Sequence, residues 1–467
     1  MAVPPALRRD AASAALGVLA AAVPLVFLRG FTVDDALIIA RYAANIAAGQ
    51  GHAFNPGDAP SDGVTPLGLA YLLAPWAGGG VLAAFFAMRA MGVVAWLVAA
   101  AALGIAVGRA SSRRLRFASL LLVATSAPLA AWAIAGLETG LATCFATLAV
   151  VLPRGPRASL AGALFAGLFA WLRPEALPFV LVVGAGRGHE LATLGEARRR
   201  HLAYANTLLL AALPFVLVAS VRLWLWGTPW PLAVLAKPSD FSHGLRYALA
   251  CALLTGGPIA AFAPFAFRKL EAFARFVLVA GYAHFAAVAL AGGDWMPLSR
   301  LVVPVLPAFV YVTARLLSLP RPGFAVARLG LALVGTVFVL VRMGPVATRV
   351  LGDRLALIES ARGPLSGVER VAAVDVGWLG AATPARIVDL AGATDREVAA
   401  LPGGHTSKAV SVTMLDRREV EAVLVLDPPR VVEARSLRDP EFAARFEPVW
   451  RSPEELPVRY VLWRRRE

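Results

Sequence analysis

Apolar runs long enough to cross a bilayer recur from one end of this 467-residue chain to the other, and they constrain its fold more than any other feature. They fall near residues 11–29, 81–108, 117–135, 138–152, 159–172, 175–186, 203–225, 245–267, 275–291, 301–317 and 328–343. An α-helix rises about 1.5 Å per residue, so about 20 apolar residues match a hydrocarbon core about 30 Å thick. Roughly eleven spans are therefore expected, the shortest runs carrying the weakest signal. Hydrophobic residues make up 58% of the chain and charged residues only 16%, a balance that excludes an ordinary soluble domain. The run Ala11–Leu28 follows Arg8 and Arg9 and leads straight into polar residues, with no small-residue cleavage pattern. It reads as a retained first membrane helix rather than a signal peptide.

The net charge of +15 raises the question of nucleic acid, but the basic residues lie in short tracts between apolar runs and not along one face. The tracts are Arg8 and Arg9; Arg109, Arg113, Arg114 and Arg116; Arg154 and Arg157; Arg187 and Arg198 to Arg200; Arg268, Lys269 and Arg275; and Arg321 and Arg328. Every second connection is basic, which places those connections and the N-terminus in the cytoplasm. The alternate connections hold Asp34, Asp35, Glu138, Arg173, Glu175, Lys237, Asp294 and Arg300, so the unusual polar residues gather on the outer face. Cys144 and Cys251 both fall in apolar runs and read as packing residues, with neither a disulfide framework nor zinc-ligand spacing.

After Val341 the pattern changes. "VERVAAVDVGWLG" and "ARIVDLAG" read as short strands, "TDREVAAL" and "MLDRREVEAV" as helical pieces, and "RYVLWRRR" as a last strand. The expected architecture is a polytopic α-helical membrane domain over residues 1–343, with a first outer loop at 30–66, followed by a small soluble α/β domain at 344–467. An odd number of spans puts that domain outside the cytoplasm. No internal repeat of the secondary-transporter kind is visible.

The first outer loop, "TVDDALIIARYAANIAAGQGHAFN" (residues 32–55), carries the densest polar signal. On a helix starting near Asp34, that residue shares one stripe with Arg41 and Asn45, while Ala36, Ile39, Ala43, Ile46 and Ala47 fall opposite. Such a segment suits the membrane surface, and Gly49 and Gly51 end it. Capping by Thr32 or Asp34 is the plainer reading, but a cap needs one carboxylate and leaves the rest of the stripe unexplained.

The stretch "DDALIIARYAANIAAGQGHAFNPGDAPSDGVTPLG" resembles the first outer loop of GT-C glycosyltransferases, particularly those similar to the mycobacterial terminal arabinofuranosyltransferase. "AGLETGL", "LRPEALP", "GTPWPLAVLAK", "GGDWMPLSRLVVPVLP" and, in the tail, "AVDVGWLG", "IVDLAG" and "GGHTSK" resemble that group's later motifs in the same order. The resemblance covers nearly the whole chain. "SDGVTPLG" lacks the Tyr and Trp expected near "GYTSPLW", and "GTPWPL" departs from "GDPLPNT"; both departures bear on the acceptor sugar more than on the chemistry.

The resemblance implies a sugar donor linked to polyprenyl phosphate, transfer with inversion, and a cell-envelope glycan, lipid or protein as acceptor, at the outer face of the cytoplasmic (inner) membrane. Asp34 is the expected base, with Asp35 orienting the acceptor, a metal ion or a neighbouring loop; the sequence does not separate the two carboxylates. It leaves a divalent cation open and requires no other cofactor. Lys237 and Arg300 are the leading candidates to neutralise the departing phosphate, with Arg41 and Arg173 behind them and Asn45, Glu138, Glu175 and Asp294 as further substrate contacts.

Each has a plainer reading. Lys237 snorkels from a membrane end, Arg300 pairs with Asp294, Arg173 and Glu175 pair across Pro174, and Glu138 caps a helix. His52, His405 and Lys408 carry little weight, and Asp375 and Asp389 read first as turn formers. No strand–GxGxxG–helix pattern marks a nucleotide-sugar site. A lipid-linked glycan flippase or transporter, and a non-catalytic envelope scaffold, are the competing functions.

Overall fold

In the computed structural model of the chain, residues 4–110, 127–195, 199–237, 239–253, 264–319 and 322–466 are described. The basic residues Arg113, Arg114, Arg116, Arg198 and Arg321, and parts of the apolar runs 117–135 and 245–267, lie outside them. Five described helices are long and apolar enough to cross a membrane: Ala6–Phe27, Val81–Arg109, Arg200–Trp226, Ala272–Leu290 and Ala325–Arg362. Thr139–Val151, Pro156–Leu172 and Val303–Leu317 are shorter apolar helices. Among the described residues, helix length thus accounts for five of the roughly eleven spans expected. At about 1.5 Å per residue, a 13-residue helix such as Thr139–Val151 reaches only about 20 Å.

The described chain forms two compact units. One comprises Met1–Phe31, Arg89–Val218 and Ser239–Thr348; the other comprises Thr32–Met88, Ala219–Pro238 and Arg349–Glu467. In the first, helical unit, apolar side chains supply the packing and small residues set its closeness. A Cβ added to Gly17 would run into the backbone oxygen of Ala100, and one added to Gly104 into that of Ser13. The helices Pro5–Phe27 and Val81–Ala110 thus touch backbone to backbone, as small residues allow between membrane helices.

The second unit groups the first outer loop with the tail. Its sheet has five strands, β1 (Arg370–Ala373), β2 (Arg386–Asp389), β3 (Ala422–Asp427), β4 (Phe446–Arg451) and β5 (Arg459–Arg465), in the order β2-β1-β3-β5-β4. β1 pairs parallel with β2 and β3, while β5 runs antiparallel between β3 and β4. Val398, Leu415, Val423, Val432, Phe442 and Phe446 belong to its core.

The tail departs from expectation at several places. The stretch read as one strand from Val368 ends at Ala373, and Val376–Ala382 is a helix. "MLDRREVEAV" is helical only to Arg417, because Glu419 takes a left-handed φ of 52° and the chain re-emerges as β3 at Ala422. Neither β3 nor β4 was expected; Pro448 hides β4, and is tolerated there because β4 is an edge strand. The helix Gly323–Arg362 passes residue 344 without a break.

Candidate functional site

The first-loop helix runs Asp35–Ala47, but it is not a surface strip: every residue from Ala36 to Ala43 is buried. Asp34 precedes it without capping it. Its carboxylate turns instead to the helix Val376–Ala382. Oδ2 accepts the Gly377 N–H at 2.8 Å, and Oδ1 accepts the Trp378 N–H and Arg354 Nη1, each at 2.9 Å. A Cβ at residue 377 would collide with the Asp34 backbone oxygen, so only glycine admits this approach. The N-terminal amides of one short helix and a guanidinium from another therefore aim one carboxylate.

Burial raises the Asp34 pKa from 3.8 to about 6, the nearby charge of Asp375 adds to the rise, and Arg354 and the two amides oppose it. Asp375 is itself held, by both of its oxygens on Arg430 Nη2 at 2.9 and 2.6 Å and by the Tyr460 hydroxyl at 2.6 Å. The Asp35 side chain opens the first turn of its helix, partly exposed.

The other polar residues of the first loop build its frame. Arg41 is 3% exposed and donates to four carbonyls: Phe54 at 2.9 Å, Gly380 and Thr383 at 3.1 Å, and Ala385 at 2.8 Å. Burial lowers its pKa to about 10, and its charge serves the loop and tail backbone. Asn45 Nδ2 donates to Ala53 and Phe54 carbonyls, both at 2.9 Å. Asp62, which was not expected at the site, pairs in burial with Arg222 at 2.8 Å, and Arg222 also donates to the Val64 and Thr65 carbonyls. A lone arginine inside the apolar run 203–225 was the available signal. His52 is buried against Tyr42 and stacked on Tyr71, and desolvation lowers its pKa to about 4, so it is neutral. Lys237 follows the helix Leu232–Leu235, partly exposed, with no side-chain partner among the described residues.

The helical unit gathers the remaining candidates. Glu138 precedes the helix Thr139–Val151, Arg173 follows Pro156–Leu172, and Arg300 follows a bend in which Leu298 and Ser299 both take left-handed φ values of 58° and 60°. Two consecutive non-glycine residues in that region cost energy that the fold supplies elsewhere. Arg173 Nη1 donates to Glu138 Oε1 at 2.8 Å, and Nε lies 3.0 Å from Glu175 Oε1. Arg300 comes within 3.6 Å of Glu138 and 3.7 Å of Asp294. Glu138, Arg173, Asp294 and Arg300 are all buried. Arg173 Nη2 has no hydrogen-bond partner among the described residues. With Glu175 at their partly exposed edge, these five residues from three motifs thus form one cluster.

Tail candidates resolve as structure. Lys408 Nζ donates to the Ala399 and Leu401 carbonyls at 2.8 and 3.0 Å. Asp389, wholly buried, accepts N–H groups from Ala391, Gly392 and Thr394, the turn role expected of it. Among the described residues no three His, Cys, Asp or Glu side chains stand together as a metal site.

No family model matches the chain, and no curated protein matches it. Among solved structures it is similar to the crystal structure of ArnT from Cupriavidus metallidurans in the apo state, with a TM-score of 0.55 at 16% identity over 96% of this chain and 97% of that one. The likeness covers nearly all of both chains and shows a shared fold.

Proposed function

We propose that this chain is an inverting GT-C glycosyltransferase of the cytoplasmic membrane, moving a sugar from a polyprenyl-phosphate donor to an envelope acceptor on the outer face. The motif resemblance supports the class, and the likeness to ArnT over nearly the whole chain supports the fold that the resemblance implies. The observation that carries the chemistry is the Asp34 carboxylate, aimed by Arg354 and two amides and raised to a pKa of about 6. A base works best when its pKa lies near the operating pH.

In this reading the acceptor hydroxyl oxygen attacks the anomeric carbon and its proton passes to Asp34 Oδ2, which among the described residues accepts one donor bond. The bond from anomeric carbon to phosphate oxygen breaks, and its electron pair leaves with the phosphate. That leaving group is already anionic, so no acid is required, in contrast with glycoside hydrolysis. Asp35, beside the base, orients the acceptor. Lys237, with no side-chain partner among the described residues, and the open edge of Arg173 are the cations proposed to meet phosphate oxygens. Arg41 and Asn45 hold the loop in shape. The acceptor and donor sugar follow the arabinofuranosyltransferase resemblance only as far as the motifs do.

Purified protein in vesicles, given a polyprenyl-phosphate sugar and envelope acceptor, should transfer the sugar with inversion and without a nucleotide sugar. A deletion strain should accumulate the lipid-linked donor. Movement of the donor across the vesicle bilayer with no transfer would favour a flippase and end the proposal.

A further inference from the structure

Within the helical unit, a cavity of about 540 Å³ opens where Arg109, Arg154, Thr193, Glu271 and Arg315 meet. These residues lie at or beside helix ends: the last turn of Val81–Ala110, the connection after Thr139–Val151, the last turn of Leu177–Leu194, the start of Ala272–Leu290 and the last turn of Leu306–Leu317. Glu138 lies at the other end of Thr139–Val151, about 20 Å away by helix rise, so the cavity is separate from the buried cluster. The connections here are basic ones, on the cytoplasmic side by the charge rule.

Its walls are of two kinds. Ala102, Ile105 and Ala106 make an apolar wall along a candidate membrane span, and Phe273 faces the same space. The mouth is cationic. Three carboxylates near it each have a guanidinium: Asp10 with Arg109 at 2.6 Å, Glu190 with Arg187 at 2.8 Å, and Glu271 with Arg315 at 3.1 Å. Arg154 is left over. It donates to the Thr193 hydroxyl at 2.6 Å and meets no carboxylate among the described residues. Arg315 Nη1 is buried with no hydrogen-bond partner among them. The Arg109–Asp10 pair is half exposed on its arginine side, so that guanidinium exchanges partners cheaply.

We propose that this cavity binds the headgroup of an anionic phospholipid of the cytoplasmic leaflet, its phosphate on Arg154 and Arg109 and the start of an acyl chain against Ile105 and Ala106. A basic pocket between membrane helices fits such a headgroup, and the apolar wall gives the chain a continuous path into the bilayer. A free phosphate would use the cations and ignore the wall.

The test uses full-length protein in nanodiscs of phosphatidylcholine with added phosphatidylglycerol, read by native mass spectrometry and by thermal unfolding. Phosphatidylglycerol should be retained and should raise the unfolding temperature, while phosphatidylcholine alone should not. Arg154→Gln should weaken retention about five-fold, the effect of about one basic side chain near an anionic membrane surface. Ile105→Trp, which keeps both arginines, should block retention of the lipid but not of inorganic phosphate. Equal retention of the two lipids, full stabilisation by inorganic phosphate alone, or unchanged retention by both variants would each overturn the proposal.

Discussion

Asp34 and Arg173 are both sheltered ions, yet the structure treats them differently. Asp34 is surrounded by donors on both oxygens, two of them backbone amides that cannot turn away. Arg173 is deeper, at 3% exposure, and keeps one nitrogen without a partner among the described residues. An engaged carboxylate is a fixed one, fit to act at a set position. A buried guanidinium with an open edge bears an uncompensated cost, which an arriving anion would remove.

Arg173→Met should have the largest effect, because it leaves Glu138 buried beside a lost partner. A loss of about 3–5 kcal/mol in stability is expected, measured by thermal or denaturant unfolding in detergent. Arg173→Lys sharpens the contrast. If the open edge serves a ligand, the lysine variant folds better than the methionine one but still binds donor poorly.

Asp34→Asn comes next, with turnover falling roughly 10²-fold or more while donor binding persists. Asparagine also places an NH₂ group against donors, so its stability must be read beside its rate; a wild-type rate would reduce Asp34 to a structural tie. Asp35→Asn should cost less.

Gly377→Ala pushes a methyl group into the Asp34 backbone, and overpacking of this kind costs about 1–3 kcal/mol. If aim matters, its turnover should fall further than its stability predicts.

The smallest effect is a shift in pH dependence. A base with a pKa of about 6 must be ionised, so turnover should fall about tenfold per pH unit below that value. Arg354→Met removes a charge that lowers the pKa, and the acid limb should then move upward. Because the folded pKa lies above the ordinary 3.8, ionising Asp34 costs the folded state stability as pH rises between 3.8 and about 6. A limb at the same pH in Arg354→Met would assign the titration to another group.

Asp34 was legible because two carboxylates directly after an apolar run need a reason. Its partners were not, since Arg354, Gly377 and Trp378 lie 320 to 344 residues further along the chain. Nothing local in "VGWLG" announces that its amides will face a distant aspartate. Arg41, which donates to four carbonyls, shows the converse. Its position on a polar stripe suggested substrate, but a stripe records only which side chains share a face, not what that face meets. In the tail, β1, β2 and β5 followed from short apolar stretches holding Val371, Ile387 and Val388, and Tyr460, Val461 and Trp463, whereas "VGWLG", joined to the β1 stretch, is the helix Val376–Ala382.

The sequence by itself determined that this chain is apolar along most of its length, that basic tracts alternate with polar ones, and that a small α/β segment follows the last run. Those properties are sums over neighbours in the chain: hydropathy, periodicity and charge need no partner to be counted. Tertiary structure alone decided which ions are saturated and which are open, which carboxylate meets a helix end, and which arginine becomes scaffold. Each of those depends on desolvation and on groups brought together across hundreds of residues, where a single hydrogen bond more or less changes what a side chain can do.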